Sequence, residues 1–112
     1  VNPRVLQPLT ADQISHHFSS GVYAKEMRFA AGTAAISHRH QFDHMSILVS
    51  GRVVVTTPQG VTALVGPSVI TMRAAMEHQV EAITDAVWFC IHATEETDVA
   101  KIDAGAIIGE AV

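Results

Sequence analysis

The 112-residue sequence predicts an all-β domain, a sandwich or barrel, and three observations carry that prediction. Short apolar runs alternate with polar residues at a period of two from Val22 onward. Turn signals separate these runs at close, regular intervals. The length is that of one domain, and 48% hydrophobic residues with 16% charged residues exclude disorder. The expected organisation is a single domain, 1–112, with a barrel core over about 22–92. An N-terminal segment, 1–21, precedes the core and a tail, 93–112, follows it.

The elements follow in order. Pro3 and Pro8 keep the start irregular. Thr10-Ala11-Asp12-Gln13 has the form of a capping box, which predicts a short helix reaching about Phe18 before Ser19-Ser20-Gly21 ends it. That helix would place His16 and His17 on the surface. Val22–Ala30 then alternates Tyr23, Lys25, Met27 and Phe29 against Val22, Ala24, Glu26 and Arg28. After the turn at Ala31-Gly32-Thr33 come extended segments at Ala35–His40 and His44–Val49. Ser50-Gly51 leads into Arg52–Thr57. Pro58-Gln59-Gly60 forms a hairpin turn into Val61–Val65. Gly66-Pro67 leads into Ser68–Met72. Gln79–Ile83 and Ala86–His92 close the series around Thr84-Asp85. The tail carries Glu95, Glu96 and Asp98, then Val99, Ile102, Ile107 and Ile108 without a firm period. It is left to cover the barrel, exchange with a neighbour or stay mobile.

Composition narrows the function classes. A net charge of −4 with only seven Lys plus Arg argues against nucleic-acid binding and against a polybasic membrane surface. No apolar stretch is long enough to span a bilayer, and no secretory signal pattern is visible. The single cysteine, Cys90, permits neither an intrachain disulfide nor a cysteine-based zinc cluster, and fits a reducing cytoplasm. The segment His44–Val49 is apolar on both parities, because Met45, Ile47 and Val49 lie opposite His44, Ser46 and Leu48. An outer face that apolar needs a cover, from the tail, the N-terminal segment or a second subunit, and the expectation is a homodimer.

Seven histidines dominate the chemistry: His16, His17, His38, His40, His44, His78 and His92. In an extended segment His38 and His40 point to one side. Gln41-Phe42-Asp43 then lets the next strand return His44. His78 lies far along the chain and joins them only if the sheet rolls up. A lone barrel histidine is ordinarily a hydrogen-bonded core or rim residue, and His-x-His also occurs on exposed faces. Three histidines within seven residues, beside a run of Ile, Leu, Val and Met, favour a shared cation, since buried unpaired imidazoles are costly. Imidazole suits Zn, Cu, Fe and Ni.

The spacing Gly32, His38-Arg39-His40, His44, Gly51 resembles the first motif of the cupin superfamily, with His44 at a position where that motif usually has glutamate. Gly66-Pro67 followed by Glu77-His78 is similar to the second motif, although the usual Pro-x-Gly spacing and the asparagine after the histidine are missing. The resemblance spans Gly32 to about Glu81 for the motifs and Val22 to His92 for the barrel. It implies a double-stranded β-helix, or jelly-roll, barrel, to which the capping box adds a short N-terminal helix. It also implies a small single-domain cupin of the four-histidine, manganese-binding type, with His38, His40, His44 and His78 as metal ligands and Mn or Fe favoured over Zn, Ni or Cu. Small cupins of this kind commonly pair, in agreement with a homodimer.

Four neutral imidazoles leave the charge of a dication uncompensated, which favours an anionic small-molecule ligand. They also leave two positions of a six-coordinate ion open. The function expected is therefore a metal-dependent oxidoreductase or dioxygenase-like enzyme acting on a small organic anion. The alternatives are a non-redox isomerase, lyase or cyclase, and a non-catalytic ligand-binding module. Catalytic residues beyond the metal are not identified. The pocket candidates are Lys25, Trp88 and Cys90. The resemblance places the Trp88 and Cys90 face inside the barrel, and Lys25 is either a cation in the pocket or a lysine reaching out from the strand start. Cys90 reads first as a small buried apolar residue and second as a pocket residue. Phe42 and Met72 are plausible pocket walls or core. Asp43 is a candidate acceptor for a ligand histidine N–H. His92 is expected at the rim. Glu26 has outward parity, and Glu77 sits beside a ligand.

Overall fold

The computed structural model describes residues 7–37, 43–74 and 76–106. The strands are β1 (Gln7–Pro8), β2 (Ile14–Ser19), β3 (Val22–Phe29), β4 (Thr33–Ser37), β5 (His44–Ser50), β6 (Arg52–Thr57), β7 (Gly60–Val65), β8 (Ser68–Met72), β9 (His78–Ala82) and β10 (Ala86–Ala93). A helix, α1 (Val99–Ala106), follows them. Among the described residues no helix is long and apolar enough to cross a membrane.

Two five-stranded sheets form, in the orders β1-β4-β9-β6-β7 and β2-β3-β10-β5-β8. The chain passes repeatedly between them: β4 lies in the first sheet, β5 in the second, β6 and β7 in the first, and β8 in the second. Apart from the parallel β1–β4 contact, the pairings are antiparallel. The sheets face each other across a core of Met27, Phe29, Leu48, Val53, Val55, Met72, Val80, Ala82, Ala86 and Trp88. Period-two alternation produces this core directly. On β3, Tyr23, Met27 and Phe29 are buried, and on β5 His44, Ser46 and Leu48 are buried while Met45 is exposed.

Gly51 shows why one turn needs glycine. Its φ is +91°, a conformation L side chains rarely adopt, and a Cβ there would run into the Asp85 carbonyl and Ala86. The turn therefore packs directly against the β9–β10 connection.

The N-terminal helix expected through Phe18 is corrected to a single 3-10 turn, Ala11–Gln13, followed by β2. The turn signal itself is genuine, because the Thr10 N–H donates to Gln13 Oε1 at 2.8 Å. The following six residues have the period of a strand, Ile14, His16 and Phe18 against Ser15, His17 and Ser19. They pair along β3, from Ile14 opposite Met27 to Ser19 opposite Val22. A ladder against an existing sheet satisfies more backbone groups than a short helix on its own. The tail resolves into α1, with Asp98 Oδ1 accepting the Ala100 N–H at 3.0 Å and Ile102 buried. It thereby covers part of the molecule, while Ile107 and Ile108 lie outside the described residues.

Candidate metal centre

Two of the four predicted ligands converge at one end of the sandwich. His44 opens β5 in one sheet, opposite Met72. His78 opens β9 in the other, opposite Ser37. Both are buried, and their ring centroids stand 6.4 Å apart with planes inclined by 42°. That separation is near the upper end of the span that two imidazoles occupy around one ion at metal–nitrogen lengths of about 2.0–2.1 Å. His38 and His40 lie outside the described residues, as does Phe42. Their segment joins Ser37, the pairing partner of His78, to Asp43, the residue before His44. Among the described residues no group of three His, Cys, Asp or Glu side chains forms a metal site.

His78 Nδ1 lies 3.4 Å from the Met76 carbonyl oxygen, close to the outer limit of a hydrogen bond. An N–H directed at a carbonyl in this way fixes the ring and leaves Nε2 as the ligating atom. Burial pushes the His78 pKa below its ordinary value, and the Met76 carbonyl opposes part of that shift. Both features suit a metal ligand, which must be a neutral imidazole. Met72 is buried beside His44 and forms an apolar wall. Asp43 is committed elsewhere among the described residues, accepting the Ala74 N–H at 2.7 Å with Arg73 Nη1 at 3.7 Å. Glu77 is exposed, and Glu26 sits on the outer face of β3, bound to His17 and Arg28.

The pocket candidates occupy successive rows on the inner face of the second sheet. Trp88 is buried between Met27 and Leu48, its neighbours on β3 and β5. One row nearer the histidines, Cys90 lies between Lys25 and Ser46. The fully buried Ser46 hydroxyl donates to Cys90 Sγ at 3.8 Å. Burial pushes the Cys90 thiol up, while contacts with Ser46 and Trp88 and the charge of Lys25 pull the other way. Lys25 is half-buried and shares the inner face with Tyr23 and Met27. His92, near the end of β10, meets the Tyr23 ring edge-on at 5.4 Å.

Reading 10–18 as a helix hid one part of this surface. On a strand, His16 shares a face with Phe18, and its Nδ1 lies 2.7 Å from the Tyr23 hydroxyl. The alternation of Ile14, His16 and Phe18 was the available signal. The expectation that His16 and His17 are exposed agrees with the structure, although both are on β2.

No protein-family model matches the chain, and no curated protein matches it. Solved structures do. A cupin superfamily protein from Desulfitobacterium hafniense is 18% identical, with a TM-score of 0.62 over 78% of this chain and 83% of that one. A cupin 2 domain-containing protein from Halorhodospira halophila is 13% identical, with a TM-score of 0.66 over 87% and 77%. An RmlC-like cupin family protein with a double-stranded β-helix fold, from Methanocaldococcus jannaschii, is 12% identical, with a TM-score of 0.63 over 72% and 78%. The fold is therefore the double-stranded β-helix of the cupins.

Proposed function

We propose that this cupin-fold chain binds a divalent metal ion through His38, His40, His44 and His78. We read it as a metal-dependent oxidoreductase or dioxygenase-like enzyme for a small organic anion. One observation carries the metal reading: His44 and His78, from opposite sheets, are buried together at 6.4 Å between ring centroids. Two imidazoles brought side by side out of water gain from a shared cation what they lose in solvation. The histidine-only donor set admits Mn, Fe, Zn, Ni or Cu, and the motif resemblance favours Mn or Fe. When bound, the ion supplies a Lewis-acidic or redox-active dication.

The chain's own residues prepare the site around it. Met76 orients His78, and Met72 walls the pocket beside His44. Leu48 and Trp88 close the interior below against water. Ser46 and Cys90 present a hydroxyl and a neutral thiol between that floor and the histidines. Such a lining suits a small organic anion better than a polyhydroxylated sugar, and the uncompensated charge of the four-histidine set attracts the anion.

Metal analysis of the purified chain and of His44→Ala and His78→Ala tests the site. The wild type should carry about one ion per chain, and each variant should bind it at least about tenfold more weakly. Unchanged affinity in His78→Ala would overturn the ligand set. Oxygen uptake by Mn- or Fe-loaded protein, offered diketones, catechols and aryl alkenes, tests the reaction class. If an anion binds the loaded protein and is isomerised or left intact without oxygen consumption, the non-redox enzyme or the binding module replaces the oxidoreductase.

A further inference from the structure

A second cavity lies away from the histidines. Where the β1–β4 edge of one sheet comes against β2 and β3 at the edge of the other, a space of about 530 Å³ remains. That volume is in the range of small-ligand sites. Leu9, Ile14, Met27 and Ala35 give it apolar walls, and Lys25 and Gln79 are polar groups on its lining. Neither His44 nor His78 is among its described lining residues.

Lys25 is the unusual member. Its strand position is inward, between the buried Tyr23 and Met27, and its cross-strand neighbours are His16 and Cys90. Among the described residues no carboxylate pairs with it. Glu26, next to it in sequence, points to the opposite face and is held by His17 and Arg28. A half-buried ammonium beside apolar walls, without a counter-ion, is unfavourable unless something supplies one. An inward lysine also breaks the local polar–apolar pattern, and such breaks concentrate at functional positions.

The geometry points to a binding site for an amphipathic monocarboxylate. The carboxylate pairs with the Lys25 ammonium, a charge-assisted contact. The hydrocarbon body lies against Leu9, Ile14 and Met27. This site needs no metal, so its occupancy is read on metal-free protein, separately from the metal-dependent reaction.

The chain has one tryptophan, Trp88, which pairs with the cavity-lining Met27, so its emission reports on occupancy. The test titrates decanoate into EDTA-treated, full-length protein, monitored by calorimetry and by Trp88 fluorescence. Saturable one-to-one binding is expected. Lys25→Met should weaken it by about tenfold to a hundredfold, and Lys25→Arg should keep most of it. Decanol should bind the wild type more weakly than decanoate does, and should bind Lys25→Met just as it binds the wild type. Equal decanoate binding by Lys25→Met, equal binding of decanol and decanoate to the wild type, or no saturable binding of decanoate would each overturn the proposal. If Lys25→Met fails to fold, the decanol comparison on the wild type decides alone. Because the protein is metal-free throughout, failure here leaves the metal reading untouched, and loss of metal binding in His78→Ala leaves this site untouched.

Discussion

Cys90 illustrates how one side chain's neighbours set its chemistry. Its sulfur accepts from Ser46 and feels the Lys25 charge, yet burial outweighs both and raises the pKa of the thiol. The folded chain thus favours the protonated form. Stability from this group is complete below the ordinary thiol pKa of about 8.5 and is lost as the pH rises through the higher folded value. Iodoacetamide should therefore modify the native protein slowly at pH 8, with a midpoint of rate against pH above that of the urea-unfolded chain. A native midpoint at or below the unfolded one would contradict the assigned balance. The same residue-scale logic separates the histidines. His78 is desolvated and aimed by a carbonyl, whereas His17 is exposed and bonds Glu26 Oε1 at 2.8 Å.

At the level of elements, turns fix which strand faces inward. Gly51 joins β5 to β6 and sends the chain from one sheet to the other with His44, Ser46 and Leu48 kept inside. Replacing it with alanine imposes both a left-handed backbone and contact with the Asp85 carbonyl. Gly51→Ala should cost about 1–3 kcal/mol, read as a lower urea midpoint with little change in slope. A variant as stable as the wild type would show that the turn relaxes freely. β2 is held differently, by side chains as well as by its ladder. Arg28 donates to Ser15 Oγ at 2.9 Å and to the Asp12 carbonyl at 2.8 Å, tying β3 to β2 and to the turn before it. Glu26 is drawn below its ordinary pKa by the His17 hydrogen bond first and by Arg28 second, so its ion pair with Arg28 weakens only as the pH falls below the ordinary carboxylate value.

For the whole molecule, the outer face of the second sheet is where a second copy is expected to dock. Met45 and Val49 on β5 and Val69 on β8 are exposed, beside the half-buried Ile47 and Phe89. Their alignment follows from register, since Ile47 lies opposite Phe89 on one side and Val69 on the other. A contiguous apolar face of this kind is rarely left to water in a monomer. Multi-angle light scattering at micromolar concentration should return twice the 12.0 kDa chain mass, and Ile47→Lys with Val69→Glu should return the chain mass with the fold retained. A wild-type mass of one chain would remove the homodimer.

Much of this architecture is legible in the sequence alone. Strand after strand from Val22 to His92 is readable because alternation of side chains is a local property of an extended chain, and the turns at Gly32, Gly51, Pro58 and Gly66 bound each run. The shared face of Trp88 and Cys90 follows from the same period, but that it is the inner face follows only from the resemblance, and the sequence leaves Lys25 open between pocket and solvent. The sequence also holds the histidine spacing, and so the proposal of a metal. Local pattern misleads at β2, where a sound one-turn start at Thr10 is overridden by pairing with β3. Three things depend on tertiary structure. His78 meets His44 because the chain crosses between sheets, and no local period encodes that crossing. His16 meets Tyr23 because a ladder, not a helix, forms. Lys25 faces a cavity because the sheet edges part there, and a gap between two edges is a property of packing, not of the residues on either side.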